Sequence, residues 1–363
     1  LFTLPAYEAP DFSGDHFIAA PDVQTLQAPG DGILPDDFYA TNIYPEYFKI
    51  RGDWRLISAA RMDCAVVIKD GQPIATEARR VKRGDSIVVG REEDLSNGVF
   101  IDYQAFQDVH QKGSAQNFAF RTGSSRETSY SRDYDQLYEI LRHDRNNGSI
   151  VWVLGPAVAF DHDSRKAMAG LVANGYVNAI LAGNALATHD MEAGLFHTGL
   201  GQDIYTKELQ YNGHYNHLQT INKVRRSGSI ERFIAENPSQ DGIVAACVRN
   251  HIPMVLAGSI RDDGPLPGVI ANVYEAQNAM RQHTMRATTV IALATQLHTI
   301  ATGNMTPSWQ LVGGRPRPVY FFTVDISEFA VGKLHDRGSL SAISIVTNVQ
   351  DFLINTARNL DVL

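Results

Sequence analysis

Cysteine is scarce: Cys64 and Cys247 are the two in 363 residues. They cannot build a disulfide framework and lack the spacing of a zinc or haem site, so a reducing compartment is expected. No apolar run reaches the roughly 18 residues a membrane span needs. The acidic stretch from Leu1 to Asp15 has no basic segment followed by an apolar one, which argues against a secretory signal. We therefore expect a cytoplasmic protein, and the Leu at position 1 suggests a longer product. Basic charge is not in surplus, with 32 Lys+Arg against 40 Asp+Glu and a net of -8, which disfavours nucleic acid as a partner. A G-x-G-x-x-G run after a predicted strand is also missing. The nearest approach, Gly199-Leu200-Gly201, follows a helix-like segment, so the ordinary dinucleotide fingerprint is absent.

What is present divides into two regimes, and the length suits two domains. Residues 1–35 carry five prolines and read as an extended arm, one that could lie on a neighbouring subunit. Residues 36–145 form a β-rich domain, with runs at 54–58, 64–68, 72–80 and 86–90 and an Asp70-Gly71 hairpin signal. A polar stretch, Lys112 to Arg132, reads as loop, and a helix over 133–142 precedes the turn at Gly148. From 146 to 363, apolar runs at 149–155, 176–183, 253–259, 288–295, 319–325 and 342–348 alternate with helical segments. These include 164–174, 216–236, 242–250, 270–282, 327–336 and 350–358. The fold class expected is α/β, with a Rossmann-like, mostly parallel sheet in the C-terminal domain and a smaller β-rich N-terminal domain.

Ligands of such sheets bind beyond the carboxyl ends of the strands. Those ends read Gly155-Pro156, Gly183-Asn184-Ala185, Gly258-Ser259, Thr295-Gln296, Asp325 and Thr347-Asn348. Small residues there let a pyrophosphate approach the backbone, and Asp325 suits the hydroxyls of a ribose. Each has a plainer reading: a tight turn for a glycine, a helix cap at Ser327 for Asp325. Two segments are dense in ionisable groups, 182–196 with His189, Asp190 and Glu192, and 257–267 with Arg261, Asp262 and Asp263. Adjacent carboxylates beside a guanidinium can serve as a base or hold an ammonium, or can merely cap a turn. His298 lies past another strand end and could equally be a core histidine. His214 and His217 lack a third ligand, and no metal is expected.

The motifs GYVNAILAGNALATHDMEAGLF (175–196), NGHYNHLQTINKVRRSGSI (212–230), PMVLAGSIRDDGPLPGVI (253–270), LATQLHTIATGNMTPS (293–308) and VDISEFAVGKLHDRGS (324–339) carry a resemblance. The chain is similar to the lysine-ketoglutarate reductase/saccharopine dehydrogenase bifunctional-region family. Its better-understood members are archaeal-type ornithine cyclodeaminases and the C-terminal part of cyanobacterial arginine dihydrolases. The resemblance implies NAD in the C-terminal domain and a substrate cleft shared with the first half. Asn184, Ala185, Asp263, Thr295, Gln296, Leu297, His298, Asp325, Thr347 and Asn348 would contact the cofactor. In the first half the run Ala40-Thr41-Asn42-Ile43-Tyr44-Pro45-Glu46 departs from the family's Thr-Thr-Asn-x-Pro-Thr pattern.

The reaction expected is NAD-dependent cyclisation of ornithine, or a related amino acid, to proline, or a cyclic imino acid, with loss of ammonia. Asp262 or Asp263 would be the catalytic base, and Asn42, Arg61 and Asp63 the substrate-binding residues, Arg61 for the carboxylate and Asp63 for the distal ammonium. Arg61 and Asp63 could instead pair within the β domain. A net amino-acid oxidoreductase of the saccharopine dehydrogenase type and a non-catalytic nucleotide-binding module are the rival expectations. The small amino-acid substrate is the expected partner, and a homo-oligomer, dimer or tetramer, is expected from the arm and the shared cleft.

Overall fold

The computed structural model describes residues 3–106, 130–260, 262, 264–328 and 340–363. In the first half, α1 (Asp15–Ala19) leads into β1 (Gln24–Gln27), β2 (Glu46–Ile50), β3 (Asp53–Leu56), β4 (Ala65–Lys69), β5 (Gln72–Thr76), β6 (Ser86–Val89) and β7 (Val99–Ile101). Two antiparallel sheets result, β1-β6-β4-β5 and β3-β2-β7. The β4–β5 hairpin turns through Asp70 and Gly71 at φ 50° and 72°, the paired positive angles that match the right-handed twist of its strands. The N-terminal segment lies on this region: Phe12 stacks on Trp54, and the buried Lys49 ammonium donates to the carbonyls of Phe17, Ile18 and Ala20. Those three bonds satisfy the end of α1, where cations are favoured.

The second half contains α2 (Ser131–Asn147), β8 (Ile150–Leu154), α3 (His162–Ala173), β9 (Ala179–Gly183), α4 (Asn184–Phe196), α5 (Asn216–Ser227), α6 (Ile230–Glu236) and α7 (Ile243–Arg249). It continues with β10 (Met254–Ala257), α8 (Val273–Thr284), β11 (Thr289–Leu293), α9 (Gln296–Met305), β12 (Tyr320–Asp325), β13 (Ala342–Val346) and α10 (Val349–Asn359). Six of its strands pair in parallel in the order β10-β9-β8-β11-β12-β13. Renumbered from β8 this is 3-2-1-4-5-6, the Rossmann order, so the fold class expected from the sequence is the fold observed. Alternate strand residues explain the layering. Ile150, Trp152 and Leu154 face a core shared with α2, α3, α4, α7 and α10, whereas Val151 and Val153 face Met280 of α8 and Met305 of α9.

Helix α2 packs into the first of these cores through Leu137, Ile140 and Leu141. Its last turn carries Asp144, fully buried, which takes two bonds from Arg317 (2.9 and 3.1 Å) and one each from the Thr288 and Thr289 hydroxyls. Burial would raise this carboxyl, but Arg317 and the hydroxyls prevail and hold it below the usual range. The first half docks on the α8–α9 layer. Trp309 enters the core of the β region, Ser308 Oγ donates to the Ile43 carbonyl, and Arg79 bonds Gln277 and Asn278 of α8. The helix expected over 327–336 falls mostly at residues 329–339, outside those described.

Candidate active site

The strand order reverses between β8 and β11, and there the chains leave the sheet in opposite directions. Gly155 donates its N–H to the Leu293 carbonyl at 2.8 Å. A Cβ at Gly155 would stand 2.0 Å from the Ala294 carbonyl oxygen, so only glycine permits this crossing. Two further strand ends are close but less so: a Cβ at Gly183 would meet the His298 ring at 3.1 Å, and one at Gly258 would meet Ala271 Cα at 3.1 Å. The ends of β8 and β11 thus meet by close backbone contact at Gly155, and the ends of β9 and β10 lie at the same edge of the sheet.

α4, α9 and α10 begin directly at this edge, α3 follows β8 after the 3-10 turn Pro156–Phe160, and α8 follows the 258–272 connection; the first N–H groups of each lack intrahelical partners. Asp161 caps α3, Asn272 caps α8, and Asn348 caps α10 by accepting from Gln350 and Asp351. α4 and α9 begin at Gly183 and Thr295 with no capping side chain. These two starts follow β9 and β11, the neighbours of β8, and so flank the switch point with donors suited to an anion.

The sequence-derived residues fall into groups. Asn184, Ala185, Thr295, Gln296, Leu297, His298, Asp325, Thr347 and Asn348 all lie at this carboxyl edge. Asn184 spends its side-chain oxygen on the Leu266 N–H (3.0 Å), fastening the 258–270 segment to the start of α4. His298 is half-buried, and burial lowers its pKa, which keeps the ring neutral at pH 7. Asp325 accepts from the Ser327 N–H at 2.9 Å. Thr347 bonds the Tyr134 hydroxyl, which links α2 to the last strand end. Asp262 closes a turn, accepting from the Ser259 N–H at 2.8 Å while its own N–H reaches the Ser259 carbonyl. Asp263 and Arg261 lie outside the described residues.

The three expected substrate residues are placed differently. Arg61 pairs with the buried Glu77, which Arg281 also contacts. Arg281 is eight residues into α8, about 12 Å along the axis from the carboxyl edge. Asp63 is an exposed turn residue at φ 59° whose N–H bonds the Thr41 carbonyl. Arg61 thus sits in an ion pair with Glu77 and Asp63 in a turn, the arrangement within the β region that the sequence offered beside their substrate roles. Asn42 holds its own loop, its Oδ1 accepting from Ile43 and its N–H donating to Glu46.

The ionisable run in 182–196 is also internal. Asp190, wholly buried, accepts from Arg165 and from the Ile243 and Val244 N–H groups, so it caps α7 from a distance. Glu192 gathers Thr198, Leu200, Gly201 and His189. Burial would raise Glu192, but the bonds from His189, Gly201 and Thr198 outweigh it and keep the carboxylate ionised. The turn Gly199-Leu200-Gly201 is thus shaped around a buried carboxylate. The missed features of the edge are the two uncapped helix starts; the signal for the first was the lack of Ser, Thr, Asp or Asn at Gly183, whereas Thr295 is a residue type that usually caps and gave no warning.

Comparison with known proteins places this architecture. The family model described as arginine dihydrolase ArgZ-like, C-terminal, Rossmann fold, matches residues 135–356, and that of the first region of the same C-terminal part matches 45–129. The ornithine cyclodeaminase of Methanopyrus kandleri is 39% identical over 342 residues, covering 93% of this chain and 78% of that protein. The bifunctional arginine dihydrolase/ornithine cyclodeaminase AgrE of Nostoc sp. is 35% identical over 91% of this chain and 46% of its own length. Among solved structures, a conserved LOR/SDH protein from Methanococcus maripaludis superposes with a TM-score of 0.83 at 34% identity, covering 94% of this chain and 98% of that one. The complex of AgrE with ornithine and NAD+ superposes with a TM-score of 0.58 at 33% identity, covering 94% and 46%. The chain belongs to the arginine dihydrolase ArgZ-like C-terminal family of amino-acid-metabolising enzymes, with a Rossmann domain at its core.

Proposed function

We propose that this chain is an NAD-dependent lyase that converts ornithine, or a closely related diamino acid, to proline, or a cyclic imino acid, and ammonia. One observation carries the proposal: a Rossmann switch-point crevice flanked by two uncapped helix starts, in a chain that matches ornithine cyclodeaminases along nine-tenths of its length. Two features of the crevice support NAD as its occupant. The N–H groups opening α4 and α9 would take the pyrophosphate, and Gly155 lets the ends of β8 and β11 close up beside it. Asp325 would hold a ribose diol and repel the additional phosphate of NADP. With its oxygen bound to Leu266, Asn184 would turn its NH2 or backbone toward the cofactor, joined there by Ala185, Thr295, Gln296, Leu297, Thr347 and Asn348.

Bound NAD would accept the Cα hydride and return it, so one diamino acid yields one proline and one ammonia without net redox change. Neutral His298 would face the crevice without placing a second positive charge beside a nicotinamide. Asp262 and Asp263 are the proposed proton acceptors for the substrate amine, Asp262 being fixed in orientation by Ser259. The test is incubation of purified protein with NAD and ornithine, assaying proline and ammonia in equal amounts. Failure to form either product with NAD bound refutes the proposal, and NADH accumulating with substrate consumption would point instead to a net oxidoreductase.

A further inference from the structure

Where the β region docks on α8, four guanidinium groups meet one carboxylate. Glu77 pairs through Oε1 with Arg61 and Arg281, and its Oε2 lies 3.3 Å from Nε of both Arg79 and Arg80. Four positive charges against one negative leave a local excess of three. The bonding is incomplete as well: Arg61 Nε, Arg281 Nε and Glu77 Oε2 are buried without a hydrogen bond. Burial, reinforced by the charge of Arg61, pushes Arg281 down to about 10. Such crowding costs free energy unless further negative charge arrives.

A cavity of about 760 Å³ opens beside the cluster, lined by Arg79, Arg80, Lys82, Arg281, His283 and Arg286, with no carboxylate in its wall among the described residues. That volume suits a small molecule. Lys82 already bonds Asp31, and Arg79 and Arg80 bond the amide oxygens of Gln277 and Asn278, which holds the forks in place. The wall contains no aromatic side chain other than the His283 ring, which burial and Arg286 keep from charging, so a nucleobase has little to stack on. Guanidinium forks on a pre-set frame match the paired oxygens of phosphates and carboxylates.

We propose that this cavity binds a small multivalent oxyanion, of phosphate or polycarboxylate type, that bridges the β region and α8. The site sits along the last turns of α8, at the opposite end of that helix from the crevice, so its occupant does not compete with a dinucleotide. The anion adds to Glu77 the negative charge the cluster lacks, and it fastens the two halves of the chain together.

Calorimetric titration of the whole chain with pyrophosphate, citrate and inorganic phosphate tests the site, with NAD present throughout and sodium chloride at matched ionic strength as control. One anion per chain is expected to bind with a Kd below about 1 mM, and R80E or R286E should weaken it at least tenfold. R286A serves as the milder variant if a charge reversal perturbs folding, with circular dichroism as the check. A response to pyrophosphate alone or to citrate alone identifies the source of the oxyanion. No heat beyond the chloride control with any of the three, or equal affinity in the parent and the folded variants, overturns the proposal.

Discussion

Glu46 should make this protein less stable as pH rises through neutrality. The residue is 1% exposed and accepts hydrogen bonds from Tyr39 Oη (2.8 Å) and the Asn42 N–H (2.7 Å), with no cation paired to it. Burial pushes its carboxyl up to about 8 in spite of those two bonds, and the Glu93 charge acts in the same direction. In the unfolded chain it ionises near 4.5. Between these values the folded state keeps a proton that the unfolded state has lost. Stability from this group is therefore complete below about pH 4.5 and declines by about 1.4 kcal/mol per pH unit up to about pH 8. At pH 7 the deficit is roughly 3 kcal/mol, from 2.5 pH units at that slope. Glu46→Gln keeps an oxygen for Tyr39 and Asn42 and removes the titration. Urea unfolding followed by the fluorescence of Trp54 and Trp309, both in the β region, should show parent and variant alike near pH 5. At pH 7 the variant should be more stable by about 2–3 kcal/mol. A difference that stays constant from pH 5 to 8, or a parent that gains stability over that range, would refute the reasoning.

Other perturbations separate structural from functional roles. Asp190→Ala takes the buried one of Arg165's two carboxylate partners, leaving Asp241, and uncaps α7, so denaturant titration should show a loss of about 2–4 kcal/mol; a loss below 1 kcal/mol would contradict the arrangement. Gly155→Ala keeps an allowed backbone angle but drives a methyl into the Ala294 carbonyl. NAD affinity measured by calorimetry should fall at least tenfold, and an unchanged affinity would place the cofactor elsewhere. Arg61→Met removes one guanidinium from Glu77, so the melting temperature should move while KM for ornithine stays within about twofold; a large rise in KM would restore Arg61 to the substrate site.

The Rossmann half was legible because parallel strands buried on both faces write themselves as continuous apolar runs, as Ile150–Leu154 and Thr289–Leu293 do. Asp70-Gly71 announced its hairpin through turn chemistry. Helix α4 was legible only as a helix-like run dense in ionisable groups, for a physical reason: it is buried almost all round, so its polar His189, Asp190 and Glu192 point inward and no amphipathic stripe exists to be seen. The strand Glu46–Ile50 hid for a similar reason, its charged ends being buried rather than solvated. Long-range pairing was beyond the reach of pattern altogether. Nothing local to Arg61 shows that Glu77 waits 16 residues on, or that Arg281 joins them from α8. Local chemistry placed the edge of the sheet correctly, whereas the partners of buried charges are chosen by tertiary contact.

The unequal capping at the sheet edge also gives this protein an internal reporter. Asp161, Asn272 and Asn348 hold the first amides of their helices whether or not anything is bound. The opening amides of α4 and α9 have no such hold, so their protons exchange with solvent through fraying of the first turn. An anion seated between them slows exchange at residues 184–186 and 296–298 while the capped turns serve as an unchanging reference within the same molecule. Deuterium uptake at those two places then measures occupancy of the crevice directly, without need of a substrate or a turnover.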